Sequence, residues 1–224
     1  MLLMSGLGGD RRVAIHQTTL HVDLILPDYI PFLEGEMLPA YAKRFYRYLV
    51  EDGTIDPSRP LVLSGMSMGG ALAQEMSRHC DAIAVVLLGS FRSSNEIHPL
   101  VRWFGRSVVG HVPASVLHAF TPVVYLVMRL FSGLPHRDVR IGAEMYRDTD
   151  KVTFRREFRA LTQWDGCEVH GPMLRIHGAS DPLIPLSRTQ SVDLVVPKAK
   201  HLVAVAAPKT VNTAIEKFLA TLLE

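Results

Sequence analysis

The 224-residue sequence has only two cysteines, Cys80 and Cys167, and both lie in apolar contexts. Two cysteines are too few for a disulfide framework, and no cluster of further metal ligands surrounds either of them. We therefore expect two reduced thiols, as in a cytoplasmic protein, and no bound metal.

An excess of charge is also missing, because 24 Lys and Arg residues against 22 Asp and Glu residues leave a net charge of +2. This near balance gives no general case for a nucleic-acid partner. Internal repeats, low-complexity tracts and linkers are lacking as well. The length then indicates one domain, or one domain with a substantial insertion.

Long apolar runs are scarce. Residues 2–4 are too short an apolar stretch for a signal peptide and continue directly into a glycine-rich segment. The longest apolar segment, residues 114–131, carries His118, Pro122 and Arg129. Such groups are costly inside a bilayer, so we expect no transmembrane segment.

Short runs rich in Val, Ile and Leu alternate with longer helical patterns along the chain. This alternation is typical of an α/β fold, a parallel sheet with helices on both faces. The polar residue in Val-Asp-Leu at positions 22–24 indicates a strand near an edge of the sheet. The six predicted strands are residues 1–4, 22–26, 61–64, 82–88, 173–177 and 192–196.

Helical patterns occupy residues 37–51 and 69–79, and Pro208 begins the last helix. From residue 91 to residue 165 the sequence predicts several helices and no strand. We interpret this segment, called the insertion below, as a helical cap over the carboxyl ends of the strands. The predicted domains are a core of residues 1–90 and 166–224 and a cap of residues 91–165.

The strongest motif is Gly-Met-Ser-Met-Gly at positions 65–69, followed by Gly70. It lies between a predicted strand and a predicted helix. A sharp turn there exposes the serine oxygen, and the start of the helix favours developing negative charge. A bare G-x-S-x-G also arises by chance, but the flanking elements favour Ser67 as a nucleophile.

Residues 61–70 resemble the nucleophile elbow of the α/β-hydrolase superfamily, and the resemblance covers nearly the whole chain outside the insertion. In that family the order is nucleophile, acid, histidine. The segment 176–185 resembles the acid loop and matches Asp181 to the acid. The segment 198–203 supplies His201. The resemblance implies that His201 takes the proton of Ser67 and that Asp181 orients the imidazole.

Each of these residues also has a structural interpretation. Asp181 precedes Pro182 and could serve only as a turn residue. His201 could be one of ten histidines without a catalytic role. We interpret His177, one residue before Gly178, as a packing residue at a strand end rather than as a base.

The oxyanion loop, residues 5–10, reads Ser-Gly-Leu-Gly-Gly-Asp and resembles the loop that supplies one oxyanion donor in the family. The resemblance implies donation from the backbone N–H groups of Leu7 and Met68. A phosphate-binding loop is the alternative, but the spacing fits neither common glycine motif. Ser5 stands where the family often has histidine.

Two further departures from the family concern the strands and helices of the core. The sequence begins at the equivalent of the family's third strand, so we expect the first two strands to be absent. Residues 22–26 would then form an edge that a second copy could cover, which makes a homodimer conceivable. Residues 186–190 replace the helix that most relatives have between the acid loop and the last strand.

The resulting hypothesis is a serine hydrolase that cleaves a carboxylic ester or thioester through an acyl-enzyme, without a cofactor. The alternatives are an acyltransferase with the same triad and a non-catalytic binding protein on this fold. The apolar side chains of residues 114–131 favour an apolar, medium-length acyl group, although such a helix could also be buried core. These side chains are Val116, Leu117, Phe120, Val123, Val124, Val127 and Met128.

The insertion is also rich in arginine. We expect most of these side chains to form a solvated face and one or two to bind a carboxylate or phosphate of the substrate. They are Arg102, Arg106, Arg129, Arg137, Arg140, Arg147, Arg155, Arg156 and Arg159.

Overall fold

A parallel sheet of five strands runs through the described part of the chain. The computed structural model describes residues 1–109, 112–132 and 134–222, and at residues 127, 130 and 131 it describes the backbone alone. The strands neighbour one another in chain order, and every pairing is parallel, as predicted. They are β1 (Leu2–Met4), β2 (Leu61–Met66), β3 (Ala82–Leu88), β4 (Met173–Gly178) and β5 (Leu194–Val196).

The predicted sixth strand, residues 22–26, is reduced to a single parallel bridge between Ile25 and Leu2. The N–H of Leu3 donates to the carbonyl of Ile25, and the N–H of Ile25 donates to that of Met1, both at 2.9 Å. Pro27 follows almost at once and has no N–H to extend the ladder. The predicted position at the sheet edge is correct, but the predicted strand is not formed.

Helices cover both faces of the sheet, because side chains along each strand alternate between two apolar clusters. Leu63 of β2 lies in one cluster and its neighbour Val62 in the other. The first face carries α1 (Leu38–Glu51) and α2 (Met68–Met76), and the second carries α8 (Val203–Ala206) and α9 (Pro208–Ala220).

The insertion contains α-helices and, in its described residues, no strand, as predicted. Its helices are α3 (Pro99–Ser107), α4 (Ala114–Ala119), α5 (Thr121–Phe131), α6 (His136–Asp148) and α7 (Lys151–Thr162). Helix α5 packs against α6, and α3 packs against α7. Whether the insertion is a separate cap domain stays a prediction.

Candidate active site

The predicted site residues all follow strands of the sheet. Ser67 follows β2, Asp181 follows β4, His201 follows β5, and the oxyanion loop follows β1. Since all the strands are parallel, their carboxyl ends lie at one edge, which is where open α/β sheets bind ligands. The topology therefore brings together groups that are up to 196 positions apart in the sequence.

Ser67 has a strained backbone. Its φ of 52° and ψ of −117° are unusual for a residue with a side chain. Two hydrogen bonds hold the backbone of Ser67. The N–H of Ser67 donates to the carbonyl of Leu88 at 3.1 Å, and the carbonyl of Ser67 accepts from the Ser90 hydroxyl at 2.6 Å. Strain of this kind persists only where the surroundings impose it, and it is concentrated at functional sites.

The glycines of the motif permit this turn because helix α2 starts directly against the sheet. A Cβ atom on Gly65 would lie 2.0 Å from the carbonyl carbon of Gly69. A Cβ atom on Gly69 would lie 2.3 Å from the carbonyl oxygen of Met4. Both contacts are with backbone, which cannot move aside, so the spacing of the motif has a steric cause.

Ser67, His201 and Asp181 form a continuous hydrogen-bonded chain. The Nε2 atom of His201 lies 2.9 Å from the Oγ atom of Ser67. The Nδ1 atom of the same ring lies 2.8 Å from the Oδ2 atom of Asp181. The carboxylate is fully buried, whereas 16% of the His201 side chain is exposed. One ring can therefore accept a proton from the hydroxyl while it donates to the carboxylate.

Asp181 lies in a loop that favours its ionised form. Burial alone would raise its pKa, but the neighbouring His201 and the backbone N–H groups of Ile184 and Leu183 outweigh burial and hold the pKa below the usual value. The two N–H groups donate to Oδ1 at 2.9 and 2.8 Å. Its Oδ2 atom is then left for His201, which fixes the direction of the carboxylate.

The ring of His177 lies next to the same carboxylate. This ring is fully buried, and Nε2 lies 2.8 Å from the carbonyl of Ile184 and 3.5 Å from the Oδ2 atom of Asp181. Burial lowers the pKa of His177, which favours the neutral ring. The sequence interpretation of His177 as a packing residue missed this contact, and the only local signal is its place four residues before Asp181.

The oxyanion loop reaches Ser67 through a tight turn. The N–H of Gly9 donates to the carbonyl of Gly6 at 3.0 Å, and Gly8 has a φ of +64°, a combination typical of a type II turn. A Cβ atom on Gly6 would lie 3.3 Å from that of Ser67. Across from the loop, Met68 begins α2, and N–H groups in the first turn of a helix have no partner within the helix.

A cavity of about 280 Å³ opens beside Ser67 between the oxyanion loop, α5 and α6. Its walls are mainly apolar and include Leu7, Val124, Met128 and Ile141. Val124 and Met128 are thus the predicted lining residues that contact it. Of the others, Leu117 is buried elsewhere. The side chains of Val116, Phe120 and Val123 are exposed, and that of Val127 lies outside the described residues.

None of the nine arginines of the insertion is among the described residues that line this cavity. Several are held elsewhere: Arg106, Arg155 and Arg156 donate to backbone carbonyls. Arg12, from outside the insertion, does line the cavity but is paired with Asp10 and Asp148. In the described ranges, no group of three or more His, Cys, Asp or Glu side chains could hold a metal ion.

Solved structures resemble the chain over nearly its full length. A thermophilic esterase from Thermogutta terrifontis has a TM-score of 0.73 and 19% identity, covering 99% of this chain and 89% of its own. A hydrolase from Pseudomonas aeruginosa PA01 has a TM-score of 0.71 and 20% identity, covering 97% of this chain and 89% of its own. The N-acyl homoserine lactonase AidH, complexed with N-hexanoyl homoserine, has a TM-score of 0.70 and 15% identity, covering 97% of this chain and 87% of its own.

No family model matches the chain, and no curated protein matches its sequence. At these identities the structural likeness shows the fold, and the chain has the α/β-hydrolase fold. No helix within the described ranges is long and apolar enough to cross a bilayer.

Proposed function

We propose that this protein is a serine hydrolase that cleaves a carboxylic ester or thioester through an acyl-enzyme intermediate. The hydrogen-bonded chain of Ser67, His201 and Asp181 carries the proposal. The strained backbone of Ser67 at a strand-to-helix turn supports it. The structural neighbours, which include an esterase and a hydrolase, favour the same class of reaction.

In the first half of the reaction, Ser67 Oγ attacks the carbonyl carbon while its proton passes to Nε2 of His201. Asp181 is ionised and stabilises the imidazolium that forms. The carbonyl oxygen becomes an oxyanion, which we assign to the N–H groups of Leu7 and Met68. The tetrahedral species then collapses. Its alcohol or thiol leaves with the proton from His201, and the acyl group stays on Ser67.

In the second half, His201 takes a proton from water, and the resulting hydroxide attacks the acyl carbon. The carboxylic acid leaves as the proton returns from His201 to Ser67 Oγ. No step of this sequence needs a metal or an organic cofactor. The imidazolium of His201 forms and loses its proton in each half of the reaction, so the buried carboxylate of Asp181 stabilises it both times.

We assign the acyl part of the substrate to the cavity beside Ser67, beneath the insertion acting as a cap. A mainly apolar wall suits an acyl chain, and a volume of about 280 Å³ favours a short to medium one. One neighbour, AidH, has been seen with N-hexanoyl homoserine, a molecule with an acyl chain in that range. We do not assign a phosphate-bearing substrate, because Arg12 is already paired with two carboxylates.

Covalent labelling tests the proposal. A fluorophosphonate should add once to the wild-type protein, on the peptide that contains Ser67, and should not add to Ser67→Ala. Ser58→Ala is the matched control, since Ser58 is an exposed serine whose hydroxyl donates to Asp56, and this variant should be labelled like the wild type. An adduct on another serine, with ester hydrolysis unchanged in Ser67→Ala, would refute the assignment.

A further inference from the structure

Ser90 binds the backbone of the nucleophile. It is fully buried, and its hydroxyl donates to the carbonyl of Ser67 at 2.6 Å. That carbonyl also accepts from the N–H of Gly70, in the first turn of α2, at 3.0 Å. The carbonyl would therefore keep a partner without Ser90, and an alanine at position 90 would leave no buried polar group unsatisfied. The need to satisfy the backbone thus does not account for the hydroxyl.

Gly70, the glycine that follows the motif, makes room for this hydroxyl. A Cβ atom on Gly70 would lie 2.5 Å from the Cβ atom of Ser90 and closer still to its hydroxyl oxygen. No side chain fits at position 70 while Ser90 keeps its place. Glycine inside a helix is unfavourable compared with alanine, so the close approach of Ser90 gives a reason for its presence here.

Two buried side chains fix the segment that carries Ser90. Arg175 of β4 is fully buried, and its Nη2 atom donates to the carbonyl of Ser90 at 2.9 Å. The same guanidinium is paired with Glu96, near the start of the insertion. From α2, the side chain of Gln74 donates to the carbonyl of Phe91 at 2.9 Å. The hydroxyl is therefore held on a segment that is fixed at two successive residues.

The bond from Ser90 acts on an assigned oxyanion donor through one peptide. The carbonyl of Ser67 and the N–H of Met68 belong to the same planar unit, in which they point in opposite directions. A hydrogen bond that fixes the carbonyl therefore also fixes the direction of the Met68 N–H. It polarises the peptide as well, which makes the N–H a stronger donor. The plane of this peptide is set by the ψ of Ser67, which has the unusual value of −117°.

We propose that Ser90 is a positioning residue whose hydroxyl orients and polarises the peptide that presents the Met68 N–H to the oxyanion. The inference rests on the proposed function, since it assumes that Met68 stabilises an oxyanion. In this role Ser90 contacts no substrate and exchanges no proton. Its removal should weaken binding of the transition state and leave binding of the substrate almost unchanged.

Ser90→Ala tests this role with a short nitrophenyl ester and with an aryl trifluoromethyl ketone, which adds to Ser67 Oγ and forms an oxyanion. The value of kcat should fall roughly tenfold, less than for the loss of a donor itself. KM should stay within about threefold. The inhibition constant of the ketone should rise by the same factor as kcat/KM falls.

Ser94→Ala is the matched control. Ser94 is 1% exposed and lies four residues further along the chain, but its hydroxyl makes no hydrogen bond to Ser67. This variant should keep the wild-type kcat and the wild-type inhibition constant.

Ser90→Cys is the second probe, because a thiol is only a weak donor. It should change the same two constants in the same direction by a smaller factor, even if Ser90→Ala fails to fold. Wild-type constants in both Ser90 variants, a loss of kcat without a matching change for the ketone, or an equal loss in Ser94→Ala would overturn the inference. A wild-type protein that neither reacts with a phosphonate nor hydrolyses esters would instead overturn the proposed function.

Discussion

The loops at the carboxyl ends of the strands and the inserted helices contribute different things to the site. Ser67, Asp181 and His201 all lie on strand-end loops, and they bind one another directly. The insertion supplies none of these three hydrogen-bonded residues. It supplies the wall of the cavity, through Val124 and Met128, and contacts to the oxyanion loop.

This comparison indicates a division of work between the two regions. The groups to which we assign proton transfer lie where strands of the sheet end and where backbone hydrogen bonds define their direction. Groups that determine the shape and size of the site sit on helices packed above. Changes in the first region should therefore abolish the reaction, and changes in the second should alter its rate and selectivity.

The largest effects should come from the strand-end loops. His201→Ala should lower kcat about 10⁶-fold, as much as Ser67→Ala, because neither residue acts without the other. Asp181→Asn should cost about 10⁴-fold, since an amide favours the wrong tautomer of His201. Ester hydrolysis, measured with enough enzyme to detect residual turnover, gives both values.

The exposed His21 is the matched control for His201, and His21→Ala should keep the wild-type kcat. If Asp181→Asn were as active as wild type, another group would have to orient the imidazole. That result would show that the acid loop takes no part in the chemical step, and the proposed difference between the two regions would then not hold.

A smaller effect should separate two adjacent residues of α5. Val124 lines the cavity, whereas the side chain of Val123 is exposed. Val124→Phe should fill part of the cavity and lower kcat/KM for octanoyl relative to acetyl nitrophenyl esters roughly tenfold. Val123→Phe adds the same ring on the solvent side and should leave the ratio unchanged.

The chain-length series decides whether the cavity holds the acyl group. Equal rates from acetyl to dodecanoyl esters in the wild-type protein would contradict the assignment. A change of the ratio in Val123→Phe as large as in Val124→Phe would show that the ring acts through the fold of the insertion rather than through the volume of the cavity.

Most of the sheet could be predicted because strands buried on both faces are continuous apolar runs. The exception is residues 22–26: their position at the sheet edge was predicted, but only the bridge at Ile25 forms, because Pro27 has no N–H to extend the ladder. Helix α5 shows the limit for helices. Its residues are apolar nearly all round, so no periodicity distinguished Val124, which faces the cavity, from the exposed Val123.

Within the site, the groups with a motif could be identified and their supports could not. Ser67 lies between Gly65 and Gly69, whose positions are fixed by close backbone contacts. The order of catalytic residues in the family that the sequence resembles then points to Asp181 and His201. Thr149 binds Gly8 across 141 positions of the sequence, and His177 lies next to Asp181 inside the fold. Buried polar contacts of this kind depend on tertiary packing and leave no local pattern in the sequence.

The last prediction concerns stability and involves the insertion alone. The pKa of Glu157 is raised from 4.5 to about 7, chiefly by burial. Between these values the folded state holds a proton that the unfolded state has lost, so its free energy of unfolding should fall as pH rises from about 5 to about 7.5. A shift of this size corresponds to roughly 3 kcal/mol. Asp181 acts oppositely and only at lower pH, since its pKa is depressed below 3.8.

Urea unfolding of the wild type and Glu157→Gln at a series of pH values measures this contribution. The other titratable and charged groups near Glu157 are unchanged by the substitution and cancel in the difference; they are Asp10, Asp28, Tyr29, Tyr41, Asp148 and Asp150, with Arg11 and Arg12, which pair with three of these acids. The wild type should lose stability relative to the Gln variant through this window and remain lower above it. Parallel curves would mean that Glu157 ionises near its ordinary pKa, in contact with water.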